Sequence, residues 1–99
     1  MSGTSLRVVA RVKALPDKVD ATRSILIALI VPTRKESGCI SYELLQNKKD
    51  PTDFTFVEEW ESDASLDSHM ATTHLAEAVS KLTGLLAEAP DIGKYSVVK

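Results

Sequence analysis

From Leu6 to Ala14 apolar and polar side chains alternate, with Leu6, Val8, Ala10 and Val12 on one side and Arg7, Arg11 and Lys13 on the other. A period of two marks a half-buried strand. Pro16-Asp17 breaks the pattern; Asp17 is a good helix N-cap, and Asp20 complements the first turn of a helix running to about Glu36. Thr22, Ile25, Leu26 and Leu29 keep helical spacing, while Ile27, Ile30 and Val31 carry apolar surface round to the other side. A helix apolar over most of its girth needs two partners, here the sheet and, by expectation, a second subunit. Pro32 kinks or ends this helix and Gly38 suits its C-cap.

Cys39–Gln46 and Phe54–Glu61 read as the second and third strands. Between them, Asn47 to Asp53 with Asp50-Pro51 carries turn chemistry, which predicts an antiparallel hairpin. Ser62-Asp63 starts a short helix through Leu66 and His69 to about Thr72. A longer helix follows, its stripe made by Leu75, Ala78, Val79, Leu82, Leu85 and Leu86 and its end set by Pro90, and Ile92–Val98 forms a last strand. The order βαββαβ is the split, ferredoxin-like arrangement, an α+β fold with one antiparallel sheet covered by helices on one face. One domain over residues 6–98 is expected, after a tail over residues 1–5. Apolar residues occur on both faces of the strands: Leu6, Val8 and Val12 against Val9, and Phe54 and Phe56 against Val57. An exposed apolar sheet face marks an interaction surface, so a sheet-on-sheet homodimer is expected.

Composition narrows the function classes. The 99 residues are 43% hydrophobic and 26% charged, an ordinary globular balance. A net charge of -2 supplies no field for nucleic acid, and Lys48-Lys49 sits beside Asp50 and Asp53 as a solvated turn. The longest apolar run, Ile25 to Val31, falls far short of the ~20 residues a membrane span needs. Cys39 is the single cysteine, read as a buried small hydrophobe without disulfide or zinc-finger partner. With no leader pattern at Met1–Ser5, a cytoplasmic location is the expectation.

Candidate chemistry gathers at one end of the sheet. Glu58 and Trp60 lie two apart on a strand and share its face with Phe54 and Phe56. Trp60 reads equally as core or as pocket wall. A buried Glu58 has a raised pKa unless paired, with Arg11 and Lys13 as the candidate partners. His69 and His74 suit proton transfer near neutral pH. Five residues apart, they stand about 140° round an uninterrupted helix, poor spacing for a shared metal, so no metal is expected. A break at Ala71-Thr72-Thr73 turns both into one cavity; otherwise His69 is solvent-exposed and His74 a cap. Tyr42, alternating with Ile40 and Leu44, either hydrogen-bonds a phenolic oxygen or fills the core. No glycine-rich phosphate loop exists, and no cofactor is expected.

Glu36-Ser37-Gly38-Cys39, Ser41-Tyr42-Glu43, Asp50-Pro51, Glu58 with Trp60, and Leu66 with His69 followed by His74 together resemble the antibiotic biosynthesis monooxygenase family over residues 6 to 98. The resemblance implies a dimeric ferredoxin-like protein. Among the activities it implies are cofactor-free oxidation of quinols or polycyclic phenols by oxygen, isomerisation of small oxygenated molecules, and haem degradation. The haem-degrading branch carries a first-strand asparagine, a helix tryptophan and a haem-ligating histidine ten residues on. Here that strand has no asparagine, the helix position falls near His69, and ten residues further lies Val79. Quinol oxidation fits better: His69 as base, Trp60 or Tyr42 on the substrate oxygen, Glu58 orienting the histidine or a water, and Phe54, Phe56 and His74 around the substrate. The same groups suit a proton-transfer isomerase, and the resemblance also admits a non-catalytic dimeric ligand-binding domain.

Overall fold

The structure is a computed structural model and describes residues 5–99. Of the expected tail only Ser5 falls among the described residues; residues 1–4 lie outside them. The elements are β1 (Leu6–Lys13), α1 (Val19–Ala28), α2 (Ile30–Arg34), β2 (Cys39–Gln46), β3 (Asp53–Trp60), α3 (Asp63–Met70), α4 (Thr73–Leu82) and β4 (Asp91–Tyr95). The fold is ferredoxin-like, a four-stranded sheet in the order β2-β3-β1-β4 with every neighbouring pair antiparallel. No described helix is long and apolar enough to cross a membrane.

Alternation decides what each face of the sheet does. Val8, Ala10 and Val12 of β1, Phe54, Phe56, Glu58 and Trp60 of β3, and Tyr42 of β2 are buried on one face, packed with Leu26, Leu29, Leu66, Ala78 and Leu82 of the helices and their junction. Pairing of Val8 with Glu58 and of Glu58 with Tyr42 centres a carboxylate in that apolar face. The opposite face has a central row of Glu43, Val57, Val9 and Gly93. Beside it lie the Arg7–Glu59 pair at 3.6 Å and the Arg11–Asp53 pair at 3.3 Å. Arg11 and Lys13 therefore serve Asp53 and Asp50 rather than Glu58, because their side chains leave the sheet on the other side.

The first helical segment differs from its expected outline. Its N-cap is Lys18, without a side-chain hydrogen bond, and Asp17 stands in the preceding turn. The break comes at Leu29, between α1 and α2, and Pro32 lies inside α2. Proline has no N–H for the carbonyl four residues earlier, that of Ala28, so the first helix ends there. Pro32 itself sits in the first turn of α2, where no donor is needed. The Arg34 guanidinium then donates to the Tyr42 carbonyl at 3.0 and 2.9 Å, fastening α2 to β2.

The last helix is shorter than its apolar stripe. It ends at Leu82, and Gly84 at φ +82° turns the chain so that Leu86 forms an isolated bridge with Ala14. Val79 is 59% exposed and lies off the buried stripe. The final strand stops at Tyr95, short of the expected Val98.

Gly38, at φ +87°, lets the chain leave α2 and enter β2 beneath α3. A Cβ there would lie 2.1 Å from Ser65 Oγ, whereas at Gly84 it would meet open space. Both positions favour glycine, but only Gly38 adds a steric penalty. Gly38→Ala is expected to lower stability by about 1–3 kcal/mol, and Gly84→Ala by less. Urea midpoints of the two variants test the ranking; equal losses would show that Ser65 moves aside without cost.

Candidate functional site

Three local features build the site. Ser62 caps α3, its Oγ accepting from Ser65 N–H at 3.2 Å. Thr72 then both closes α3 and opens α4: its hydroxyl donates to the His69 carbonyl at 2.8 Å and accepts from Leu75 N–H at 3.4 Å. Thr72 is thus an N-cap placed one turn after a histidine. This break separates His69, in the last turn of α3, from His74, in the first turn of α4. An uninterrupted helix would have splayed the two rings; here both approach one carboxylate.

That carboxylate is Glu36, just past the end of α2. His69 Nδ1 lies 2.7 Å and His74 Nε2 2.6 Å from the same oxygen, Glu36 Oε2. The side chains of His69, Glu36 and His74 are 4%, 12% and 27% exposed, so the cluster runs from the core to solvent. With Glu36 as acceptor, both contacting nitrogens are N–H donors. The neutral His69 ring then keeps its lone pair on Nε2.

Aromatic rings hold His69 in place. Trp60 lies against it at 4.9 Å between centroids, and Tyr42 meets it edge-on at 5.7 Å. Phe56 stacks on Tyr42 at 4.7 Å. Trp60 Nε1 donates to Glu58 Oε1 at 2.8 Å, so the indole joins the imidazole environment to the buried carboxyl. Burial pushes the Glu58 pKa up, against the opposing effects of the Trp60 hydrogen bond and the nearby His69. Burial, and then the neighbouring Glu58, also push Tyr42 above the usual phenol range, and the Cys39 thiol is raised by burial and by Glu36.

A cavity of about 100 Å³ lies between the sheet and the helices. Its wall is almost wholly apolar, including Val8, Leu26, Phe56 and Leu82; Tyr42, Glu58 and His69 are the polar-bearing side chains on it. A second recess, lined by Glu36, Ser37, Ser65, Ser68 and Thr72, is open to the surface. Glu36 and His69 therefore bridge an apolar chamber and a hydroxyl-lined one.

The structure brings together His69, His74, Trp60, Glu58, Tyr42 and Phe56. Phe54 and Trp60 are buried in the same sheet face, and neither they nor His74 line the cavity. The carboxylate on His69 is Glu36, while Glu58 holds Trp60. In the sequence Glu36 stands out only as part of a motif. Its signal was a carboxylate beside a helix C-terminus, where the backbone carbonyls make a negative charge unfavourable and some other partner must compensate.

The family described as antibiotic biosynthesis monooxygenase matches residues 5–81. The chain is 34% identical over 92 residues to an uncharacterised protein of Synechocystis, an alignment covering 93% of this chain and 63% of that protein. It is 39% identical over 67 residues to Rv0793 of Mycobacterium tuberculosis, covering 68% of this chain and 65% of that protein. The alignments thus span somewhat under two thirds of both relatives. A crystal structure described as an antibiotic biosynthesis monooxygenase superposes with a TM-score of 0.89 at 31% identity, covering 95% of this chain and 99% of the other.

The raised Glu58 pKa ties stability to pH with a definite sign. The native state holds that proton more tightly than the unfolded chain, so above the ordinary value of 4.5 it binds more protons and stability falls as pH rises. Glu58→Gln, whose amide oxygen still accepts from Trp60, is expected to remove this slope. Chemical denaturation between pH 4 and 8 should find the variant relatively more stable at the upper end, with the difference shrinking toward the lower. A constant difference across the range would refute the assignment.

Proposed function

The chain belongs to the antibiotic biosynthesis monooxygenase family, and from that premise we propose that it is a cofactor-independent monooxygenase acting on a small phenol or quinol. The observation that carries this reading is His69: a buried imidazole on the wall of an apolar cavity, its Nδ1 engaged by Glu36. A base on an apolar chamber, oriented from behind by a carboxylate, suits abstraction of a phenolic proton near neutral pH. Glu36 keeps the tautomer and offsets the imidazolium that forms, as the orienting acid of a catalytic triad does.

The electrons come from the substrate. His69 Nε2 takes the phenolic proton, and the anion passes one electron to oxygen. Recombination forms a carbon–oxygen bond and a hydroperoxide. Loss of water from it leaves a carbonyl, so a hydroquinone and oxygen give a hydroxyquinone and water with no outside reductant. Glu58, whose neutral form burial favours, supplies a proton for water loss, and the buried Tyr42 hydroxyl steadies the substrate oxygen. Phe56 forms part of the apolar wall. His74, the most exposed of the three clustered groups, exchanges the proton with solvent through Glu36.

The presence of two proton-transfer groups, His69 and Glu58, on one cavity also favours a second reading, isomerisation of a small hydroxycarbonyl compound. That activity needs no oxygen. For the assembly we propose a homodimer through the open sheet face, whose centre carries Val9 and Val57.

Oxygen uptake by chelator-treated protein over hydroquinones, anthrones and catechols, with autoxidation subtracted, tests the oxidation. His69→Ala is expected to lower saturable uptake by about 10²–10⁴-fold with the fold retained. Turnover that survives anaerobically supports the isomerase instead, and undiminished uptake in the variant removes His69 as the base. Light scattering checks the dimer: Val57→Glu is expected to halve the measured mass, and an unchanged mass would place the interface elsewhere.

A further inference from the structure

The His69–Glu36–His74 cluster also has the composition of a metal site. One ligand atom from each residue lies within 4.8 Å of the others, contributed by the segment after α2, by α3 and by α4. Two imidazole nitrogens and one carboxylate oxygen are the donor set of many three-ligand zinc and related sites, which keep a further position for water. A five-residue gap between histidines disfavours a shared ion only on an uninterrupted helix. Thr72 interrupts it and brings both histidines to one oxygen.

We propose that Glu36, His69 and His74 bind one divalent first-row transition ion of zinc type, as a site that competes with the proton-transfer role of the same residues. The present contacts of 2.6 and 2.7 Å are hydrogen bonds. Metal–ligand bonds of about 2.0–2.1 Å put neighbouring donors roughly 3.0–3.4 Å apart. The two histidine–carboxylate contacts therefore widen by about half an ångström, while the two ring nitrogens, within 4.8 Å of one another, settle to the same spacing. As the ion enters, the N–H proton on each contacting nitrogen moves through water to the other nitrogen of the same ring, so both histidines stay neutral and no net proton is released. The hydroxyl-lined recess over Glu36 provides access and room for water.

Coordination at His69 Nδ1 has a defined consequence for the cavity. The neutral ring must then be protonated at Nε2, so the nitrogen proposed above as the base changes from proton acceptor to donor. The bound ion thereby silences the base; this consequence rests on the oxidation proposed above, while binding itself does not.

Calorimetric titration of the chelator-treated full chain with zinc chloride alone, without substrate, tests the site. One ion per chain is expected. Glu36→Gln and His74→Ala should each weaken binding at least tenfold. Cobalt(II) added to the wild type should develop visible bands that zinc erases and that both variants lack. Circular dichroism confirms that the variants are folded, and His74, with a side chain 27% exposed, provides a substitution outside the apolar core. Absence of stoichiometric binding, or wild-type affinity in both variants, would overturn the site. Because the titration reads binding alone, a failed oxygenase assay does not alter its outcome; zinc that binds as expected yet leaves oxygen uptake intact would instead overturn the inhibitory role.

Discussion

A single carboxylate oxygen, Glu36 Oε2, joins the segment after α2 to the ends of α3 and α4. The break between those helices, the burial of His69 and the separation of the two recesses all meet at that oxygen. Hydrogen bonds to a charged group contribute about 1.5–3 kcal/mol each, and here two share one acceptor. Neither histidine replaces the other: His69 lies among aromatic rings, while His74 reaches toward solvent. The clamp therefore links an apolar interior to the surface through three polar side chains.

Around it the sheet supplies a rigid frame. Trp60 is fully buried and donates to Glu58, which places an indole face behind the imidazole and a carboxyl on the cavity wall. Polar groups at this depth are tolerated when they are paired. Glu58 and Glu36 divide the work: one is made harder to ionise by burial, the other collects two N–H donors. Two carboxyl groups in different environments are suited to different proton-transfer steps. The same arrangement that orients a base also gathers a metal-compatible donor set, so proton and ion compete for the same nitrogens.

Much of the fold was legible in the chain. Alternation in β1 and β3, the Asp50-Pro51 turn and the Ser62 cap follow from local chemistry, and each element stands where that chemistry predicts. The misplacements each have a local cause. Pro32 stops the helix at Ala28 because the lost hydrogen bond belongs to a carbonyl four residues earlier, and α2 resumes beyond it. Leu85 and Leu86 continue a helical stripe in sequence, yet Gly84 turns them toward the end of β1, where Ala14 pairs with Leu86. Apolar periodicity alone does not distinguish these outcomes, since both bury the leucines.

Sequence by itself determined the order of elements, the apolar faces of β1 and β3 and the presence of Glu58, Trp60, His69 and His74 near one end of the sheet. These depend on backbone period and turn chemistry, which act over a few residues. Only the tertiary structure decided which carboxylate serves which partner. Glu36 is 33 positions from His69 and 38 from His74, while Glu58 is two from Trp60. The route of the chain through Gly38 and the break at Thr72 bring the distant groups within hydrogen-bond reach, because packing of α3 and α4 on the sheet sets distances that local spacing does not encode.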